Sequence, residues 1–234
     1  MNPNDLQVFS ETRADLDEAE VIAAECLERC VSALRLSELV APIPAELWVE
    51  HPLGFDFGYE SIAPRTPGFE TCGYAKLGTN IIRLNESIAG NNSKVRWTTA
   101  HEIGHHLLHT KPKHSWTPLL TNEPSWRYRN LWERQADRFA AAFLMPPKLL
   151  VRQLFKVCHA FHLNDEETII ELLSDTPHAT QLWTEVFVPE LAKSFGVSPF
   201  GVVYRLADLR LFDGAPILLP KHAFRLGLLQ APQR

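Results

Sequence analysis

Apolar residues near the N-terminus recur every three or four positions, the spacing that lines one face of an α-helix. The pattern predicts a helix from Ala14 to about Leu39, with an apolar stripe of Leu16, Ile22, Cys26, Cys30, Val31 and Leu34. Prolines at positions 42 and 44 end it. Residues 1–13 are expected to form a frayed leader.

The pattern then changes to the two-residue period of β-strands. A short helical turn is expected over 44–51, after which the aromatic residues at 55, 57 and 59 alternate with other residues, as in a half-buried strand. Two further short runs, 71–77 and 81–84, flank Gly78-Thr79-Asn80, and such a link predicts a β-hairpin. A small sheet of roughly three strands is therefore expected.

The rest of the chain has helical spacing. One helix starts near Ser93 or a neighbouring asparagine and stops at Lys111-Pro112, and another begins at Glu133 and runs to Leu144. Four more are predicted over 148–161, 165–173, 179–194 and 199–210. The fold class is therefore α+β and mostly helical, with the sheet preceding the helix that starts near Ser93.

This pattern predicts the domain organisation. The leader is followed by a core over 14–147, and a helical part of the same domain covers 148–213. A tail of loop and apolar segments covers 214–234.

Composition narrows the class of protein. The 234 residues are 45% hydrophobic and 22% charged, with a net charge of −5, which is typical of a soluble globular protein. No apolar run has the length of a membrane span, and the N-terminus lacks the pattern of a signal peptide, so we expect a cytoplasmic protein. The four cysteines form no Cys-x-x-Cys pair, and we expect reduced structural thiols at Cys26, Cys30, Cys72 and Cys158.

Charge is unevenly distributed along the chain. The first fifty residues hold eleven acids and three bases. This acidic segment is either a solvated helix face or a surface complementary to a basic DNA-binding partner, and the sequence leaves both open. The chain has no Gly-rich phosphate loop and no strongly basic segment, so nucleotide chemistry and direct nucleic-acid binding are not expected.

The candidate chemistry lies in the run His101-Glu102-Ile103-Gly104-His105. On a helix the two histidines lie one turn apart on the same face, so both imidazoles can bind one ion. Catalytic zinc takes three protein ligands and keeps a fourth position for water, whose pKa it lowers. The run therefore predicts a zinc hydrolase, with one Zn²⁺ held by His101 and His105 and with Glu102 as the catalytic carboxylate.

A third ligand must come from another position. The longer metzincin motif requires glycine at position 108 and histidine at position 111, where this chain has Leu108 and Lys111, so that class is excluded. His109 lies a further turn along the helix, too far for an easy tetrahedral site. We expect it to pack, or to support a ligand from behind.

Two downstream carboxylates are candidates. Glu123 lies in a stretch rich in proline, asparagine, serine and threonine, which favours a loop. Glu133 is predicted to be helical, and Ala136 and Ala140 share its face. Because small residues let two helices approach closely, Glu133 is the expected third ligand.

Other polar residues leave questions open. A hydrolase that attacks a carbonyl group needs a donor for the oxyanion that develops, and His114, Arg127 and Tyr128 are candidates among which the sequence does not choose. His159 and His162 resemble a second metal pair, but no neighbouring ligand completes it.

Two stretches together resemble the ImmA/IrrE family of metallo-endopeptidases. They are Thr99-Ala100-His101-Glu102-Ile103-Gly104-His105-His106-Leu107-Leu108-His109 and Glu133-x-x-Ala136-Asp137-x-Phe139-Ala140-x-x-Phe143-Leu144-Met145-Pro146. Shorter matches are Ile81-Ile82-Arg83-Leu84-Asn85, Phe195-Gly196-Val197-Ser198-Pro199 and Arg205-Leu206.

The resemblance implies a zincin-like peptidase fold in which His101, His105 and Glu133 bind zinc and Glu102 is catalytic. It also implies a protein substrate, a helix-turn-helix transcriptional repressor whose cleavage relieves repression. Asp137 departs from the family, which often has asparagine there. Its carboxylate either orients a ligand histidine or is solvated.

The sequence therefore predicts a zinc-dependent endopeptidase. We also expect an edge strand of the hairpin over 71–84 to hold an extended substrate peptide. The alternative is a zinc-stabilised, non-catalytic module that sequesters a partner, or a helix-turn-helix regulator built around Gly196-Val197-Ser198. The second helix of that motif offers only Arg205 and Arg210 as bases, a weak footprint for phosphate.

Overall fold

The computed structural model describes residues 3–63, 71–109, 125–211 and 214–226. Within them the helices are α1 (Pro3–Ala33), α2 (Ala45–Trp48), α3 (Asn92–His109), α4 (Ser125–Leu144), α5 (Pro147–Ala160), α6 (Asp165–Leu172), α7 (Pro177–Gln181), α8 (Val188–Phe195), α9 (Pro199–Asp208) and α10 (Pro220–Arg225). The strands are β1 (Asp56–Glu60), β2 (Gly73–Lys76) and β3 (Ile81–Asn85). A 3₁₀ turn covers Glu86–Ile88 and a π-helical stretch covers Leu182–Phe187. The predicted α+β, mostly helical class is confirmed.

The described chain divides into two compact units. The first comprises residues 1–39 and 44–144, and the second comprises residues 40–43 and 145–234. The sheet and the helix that carries the two candidate histidine ligands lie in the first unit. Among the described residues no single helix has both the length and the hydropathy to cross a membrane, and only the pair Pro177–Phe195 and Pro199–Asp208, bent by 104°, reaches that level jointly.

The sheet has the strand order β1-β3-β2. β3 runs parallel to β1 and antiparallel to β2, so the predicted hairpin is confirmed. Ile82 and Leu84 on β3 are fully buried, and each contributes about 1.5–3 kcal/mol through the apolar surface it removes from water. The side chain of Asn85 donates to the carbonyl oxygens of Ile62 and Thr71, which holds the ends of the strands together.

Helix α3 follows the sheet and begins with a side-chain cap. The carboxamide oxygen of Asn91 accepts from the backbone N–H of Lys94 (3.1 Å), so the neighbouring asparagine, rather than Ser93, caps the helix. The predicted stop at Lys111-Pro112 lies outside the described residues. Further along α3, His106 is buried against Phe55 and its Nε2–H donates to the carbonyl oxygen of Ile81 (3.0 Å), which attaches the helix to the sheet.

Helix α4 crosses α3 at very short range. A methyl group at Gly104 would lie 3.0 Å from Cδ1 of Phe139 and 3.1 Å from its Cβ. On α4, Ala136 and Ala140 are fully buried. The absence of a side chain on α3 and the small side chains on α4 therefore set the separation of the two helices.

Helix α1 packs on α4 and reaches further toward the N-terminus than predicted. The helix predicted over 14–39 is wrong in its bounds, because α1 begins at Pro3 and ends at Ala33. Proline is suited to the first turn of a helix. At the other end Arg35 adopts a left-handed conformation (φ 51°) that ends the helix. Arg138 on α4 pairs with Glu20 on α1 at 2.8 Å.

The start of α4 also differs from the sequence prediction. The pattern predicts a helix that begins at Glu133, but α4 begins at Ser125, so Glu133 lies in its middle. The segment 125–132 contains neither proline nor glycine, and nothing in it stops helix propagation after Pro124.

The second unit is helical throughout its described elements. The predicted helices over 148–161, 165–173 and 199–210 correspond to α5, α6 and α9. The helix predicted over 179–194 is present as one continuous helical run, Pro177–Phe195, in which α7 passes through the π-helical stretch into α8. The tail predicted as loop and apolar segments contains α10, on which His222 is buried and donates from Nε2 to the carbonyl oxygen of Ser174 (3.0 Å).

Replacing Gly104 by alanine tests the close crossing of α3 and α4. Alanine is more favourable than glycine in a helix by about 1 kcal/mol. Its methyl group, however, would press on both the ring and the Cβ of Phe139, and a rotation of the ring would not relieve the contact with Cβ. We expect Gly104→Ala to lower the free energy of unfolding by about 1–2 kcal/mol, measured by urea denaturation. Gly90→Ala is the control, since a methyl group there meets nothing within 4 Å. Equal stability of the two variants would contradict the close crossing.

Candidate metal centre

Three side chains from α3 and α4 converge on one point. The Nε2 atoms of His101 and His105 lie 3.0 Å apart, and Glu133 Oε2 lies 3.2 Å from the first and 3.7 Å from the second. The two histidines are adjacent because they are one turn apart on α3, and Glu133 reaches them because α4 crosses at Gly104. The three residues that the sequence predicts to converge therefore lie close together in the structure.

His101 is held on both sides by carboxylates. Its Nδ1 lies 2.9 Å from Asp137 Oδ1, and its Nε2 faces Glu133. Burial disfavours a charged ring, but the hydrogen bonds to Asp137 and Glu133 outweigh it and raise the pKa of His101 to about 10. The hydrogen bond from His101, together with the facing ring of His105, lowers the pKa of Glu133 well below its usual range, although burial opposes this. Glu133 is therefore an anion across the neutral pH range.

His105 has a different partner behind it. Its Nδ1 lies 3.0 Å from Nδ1 of His109, whose Nε2 lies 3.1 Å from Oε1 of Gln135. The ring of His109 also stacks on Trp132, with centroids 4.7 Å apart and planes inclined by 11°. Burial lowers the pKa of His109 to about 4. His109 is thus a neutral ring supporting a ligand position, one of the two roles expected for it.

Glu102 points to the opposite side of α3 from Gly104, toward β2. It is buried, and burial is the main cause that raises the pKa of its carboxyl group, while the nearby His101 and His105 oppose the shift. The backbone N–H of Ala75 on β2 also hydrogen-bonds this carboxylate. The arrangement provides a carboxyl group that can take and return a proton beside the convergence point.

The donor set fits a divalent transition metal. Two imidazole nitrogens and one carboxylate oxygen lie within 4.8 Å of one another, and they are donor types that zinc takes in catalytic sites. No other group of three such side chains is found in the described ranges. His159, considered as part of a second metal pair, instead faces Asp165 (3.1 Å).

Some residues around the centre are not predicted by the sequence, and some predicted candidates lie outside the described residues. Gln135, Trp132 and Ala75 were not identified from the sequence; the spacing of Trp132 and Gln135, three residues apart on one helix face, was the available signal. The sequence suggests Asp137 as a possible support for a ligand histidine, and in the structure its carboxylate contacts Nδ1 of His101. The oxyanion candidate His114 lies outside the described residues, and so do the side chains of Arg127 and Tyr128.

Comparison with known proteins assigns the chain to a family. A family model described as the IrrE N-terminal-like domain (Peptidase_M78) matches residues 65–207, more than half of the chain and a range that includes all three convergent side chains. No curated protein matches the chain significantly. With the helix pair and its convergent donors, this match shows that the chain belongs to the ImmA/IrrE family, a family of metallopeptidases.

Proposed function

We propose that this protein is a zinc-dependent endopeptidase that hydrolyses a peptide bond in a protein substrate. The observation that carries the proposal is the convergence of His101, His105 and Glu133 beside the buried Glu102, in a chain of a peptidase family. His101 Nε2, His105 Nε2 and Glu133 Oε2 would hold the ion. A zinc ion with three protein ligands supplies Lewis-acid polarisation of a carbonyl group and lowers the pKa of a water molecule.

Glu102 is the proton carrier in this proposal. Its carboxylate takes the proton of the attacking water and returns a proton to the leaving amine. General acid–base groups work best with a pKa near the operating pH, and burial raises that of Glu102 in this direction. The hydrogen bond from Ala75 fixes the carboxylate, so that the proton is transferred at a constant position.

The substrate is proposed to bind as an extended peptide along β2. β2 is an edge strand of the described sheet, and its residue Ala75 already contacts Glu102 through the main chain. A peptide that adds to this edge through backbone hydrogen bonds would lie next to the proton carrier. This supports the expectation that an edge of the hairpin holds the substrate.

We propose a helix-turn-helix repressor as the substrate, so that cleavage relieves repression. The proposal comes from the resemblance to ImmA/IrrE proteins. The acidic first fifty residues are compatible with it, since DNA-binding proteins present basic surfaces.

The helix-turn-helix regulator is the weaker alternative on physical grounds. Gly196 (φ 60°) ends α8 ahead of α9, and glycine is common in the turn of such a motif, but Arg205 and Arg210 offer little for phosphate binding. Arg205 is fully buried and donates to the carbonyl oxygen of Met145, and Arg210 donates to backbone carbonyl oxygens. Of these two bases only the exposed Arg210 is accessible to a phosphate.

The metal proposal predicts one zinc ion per chain. Glu133→Gln should weaken zinc binding strongly because it removes the anionic donor, and Asp137→Asn should weaken it less, by about 10-fold, because it acts through His101. Dissociation constants from chelator competition measure both effects. Asp165→Asn, which alters another histidine–carboxylate pair, is the control. Unchanged zinc affinity in Glu133→Gln would contradict the assignment of this ligand.

The mechanism predicts that Glu102→Gln keeps zinc and loses cleavage. We expect a rate loss of about 10²–10⁴-fold, because glutamine cannot carry the proton. Mass spectrometry of products from zinc-loaded protein incubated with repressors encoded beside it measures this, with Glu166→Gln as the control at an exposed acid. Retained cleavage would remove Glu102 from the mechanism. Zinc binding by the wild type with an intact partner would instead favour a non-catalytic, zinc-stabilised module.

The binding mode predicts protection of β2 by the substrate. In Glu102→Gln, which should hold the substrate uncut, amide hydrogen exchange over 73–76 is expected to slow when a substrate peptide is added. The edge strand β1, over 56–60, serves as the internal control. Unchanged exchange across 71–84 would contradict strand addition at this edge.

A further inference from the structure

The two candidate histidine ligands are supported in different ways. His101 Nδ1 meets the carboxylate of Asp137, which can only accept a hydrogen bond while ionised. His105 Nδ1 meets the Nδ1 of another histidine, His109, at 3.0 Å. A neutral imidazole has one N–H and one nitrogen with a free lone pair, so either His105 or His109 can be the donor in this hydrogen bond. The group that contacts the other nitrogen of His109 determines which of the two donates.

Gln135 decides the direction. Its Oε1 lies 3.1 Å from His109 Nε2, and a carbonyl oxygen only accepts. His109 therefore carries its proton on Nε2, and its Nδ1 accepts from Nδ1–H of His105. The lone pair of His105 is then on Nε2, the atom that faces His101 Nε2 and Glu133.

The surroundings hold this chain of hydrogen bonds in place. The His109 ring lies flat against Trp132, which restricts its rotation. Gln135 is buried, so water does not readily replace its carboxamide as the partner of His109. If the carboxamide were reversed, its N–H would donate to His109, and His105 would carry its proton on Nε2, where it blocks the ligand position.

We propose that Gln135, acting through His109, is a positioning residue that holds His105 in the tautomer with a free Nε2 lone pair. This inference rests on the proposed metal function for its consequence, but the tautomer itself is a property of the protein without metal. Outer partners of ligand histidines typically change metal affinity by about 10–100-fold. Gln135 therefore tunes zinc affinity although it lies two side chains away from the ion's position.

The test compares Gln135→Met, which removes the acceptor at similar length, with Gln135→Glu, which keeps an acceptor. Long-range ¹H–¹⁵N correlation spectra of the zinc-free protein, recorded over a series of pH values, report which nitrogen of His105 carries the proton. Chelator competition gives the zinc dissociation constant of the same samples. Gln181→Met, an exposed glutamine of the second unit, is the matched control.

We expect His105 to be protonated on Nδ1 in the wild type, Gln135→Glu and Gln181→Met, and to show mixed tautomers in Gln135→Met with about 10–100-fold weaker zinc binding. An unchanged tautomer and unchanged affinity in Gln135→Met would overturn the inference. Protonation of His105 on Nε2 in the wild type would overturn it as well.

A second variant covers the case in which Gln135→Met does not fold. His109→Phe keeps a ring against Trp132 but removes the acceptor for His105, and the same mixture of tautomers is expected. Failure of the wild type to bind zinc would refute the proposed function alone, because the tautomer of His105 in the zinc-free protein still decides the role of Gln135.

Discussion

The short-range crossing of α3 and α4 is the constraint on which the centre depends. With no side chain at Gly104, the backbone of α3 comes so close to Phe139 that a single methyl group would lie only 3.0–3.1 Å from its carbon atoms. At this separation the carboxylate of Glu133 reaches the imidazoles of the facing helix, with Oε2 3.2 Å from His101 Nε2. The same crossing supplies the groups behind the histidines, since Asp137 and Gln135 both project from α4.

The pKa values of two carboxyl groups near the centre are shifted in opposite directions by their environments. Glu133 is half exposed and faces two imidazoles, which lower its pKa; Glu102 is buried, which raises its pKa. A permanent anion suits a metal ligand, and a carboxyl group with a raised pKa suits proton transfer. Burial and hydrogen bonding thus separate the roles of residues with the same side chain.

The sheet does more than cover one side of α3. His106 attaches the helix to β3, and Ala75 on β2 contacts the carboxylate of Glu102, so the strands fix both the helix and its reactive group. The supports of the two histidines also differ in charge. An anion supports His101, whereas a neutral ring and a carboxamide support His105, which limits the number of negative charges gathered around the centre.

The sequence by itself determined the local features, because helical and strand periods are visible in it: the shared face of His101 and His105, the hairpin, and the small residues that identified Glu133. It misplaced the ends of α1 and α4, since few residues there force a helix to start or stop. Only the tertiary structure decided which side chains of α4 lie behind each histidine. Periodicity gives the face a residue occupies, but the angle and separation at which two helices cross determine what that face meets, and these come from packing at Gly104 and Phe139.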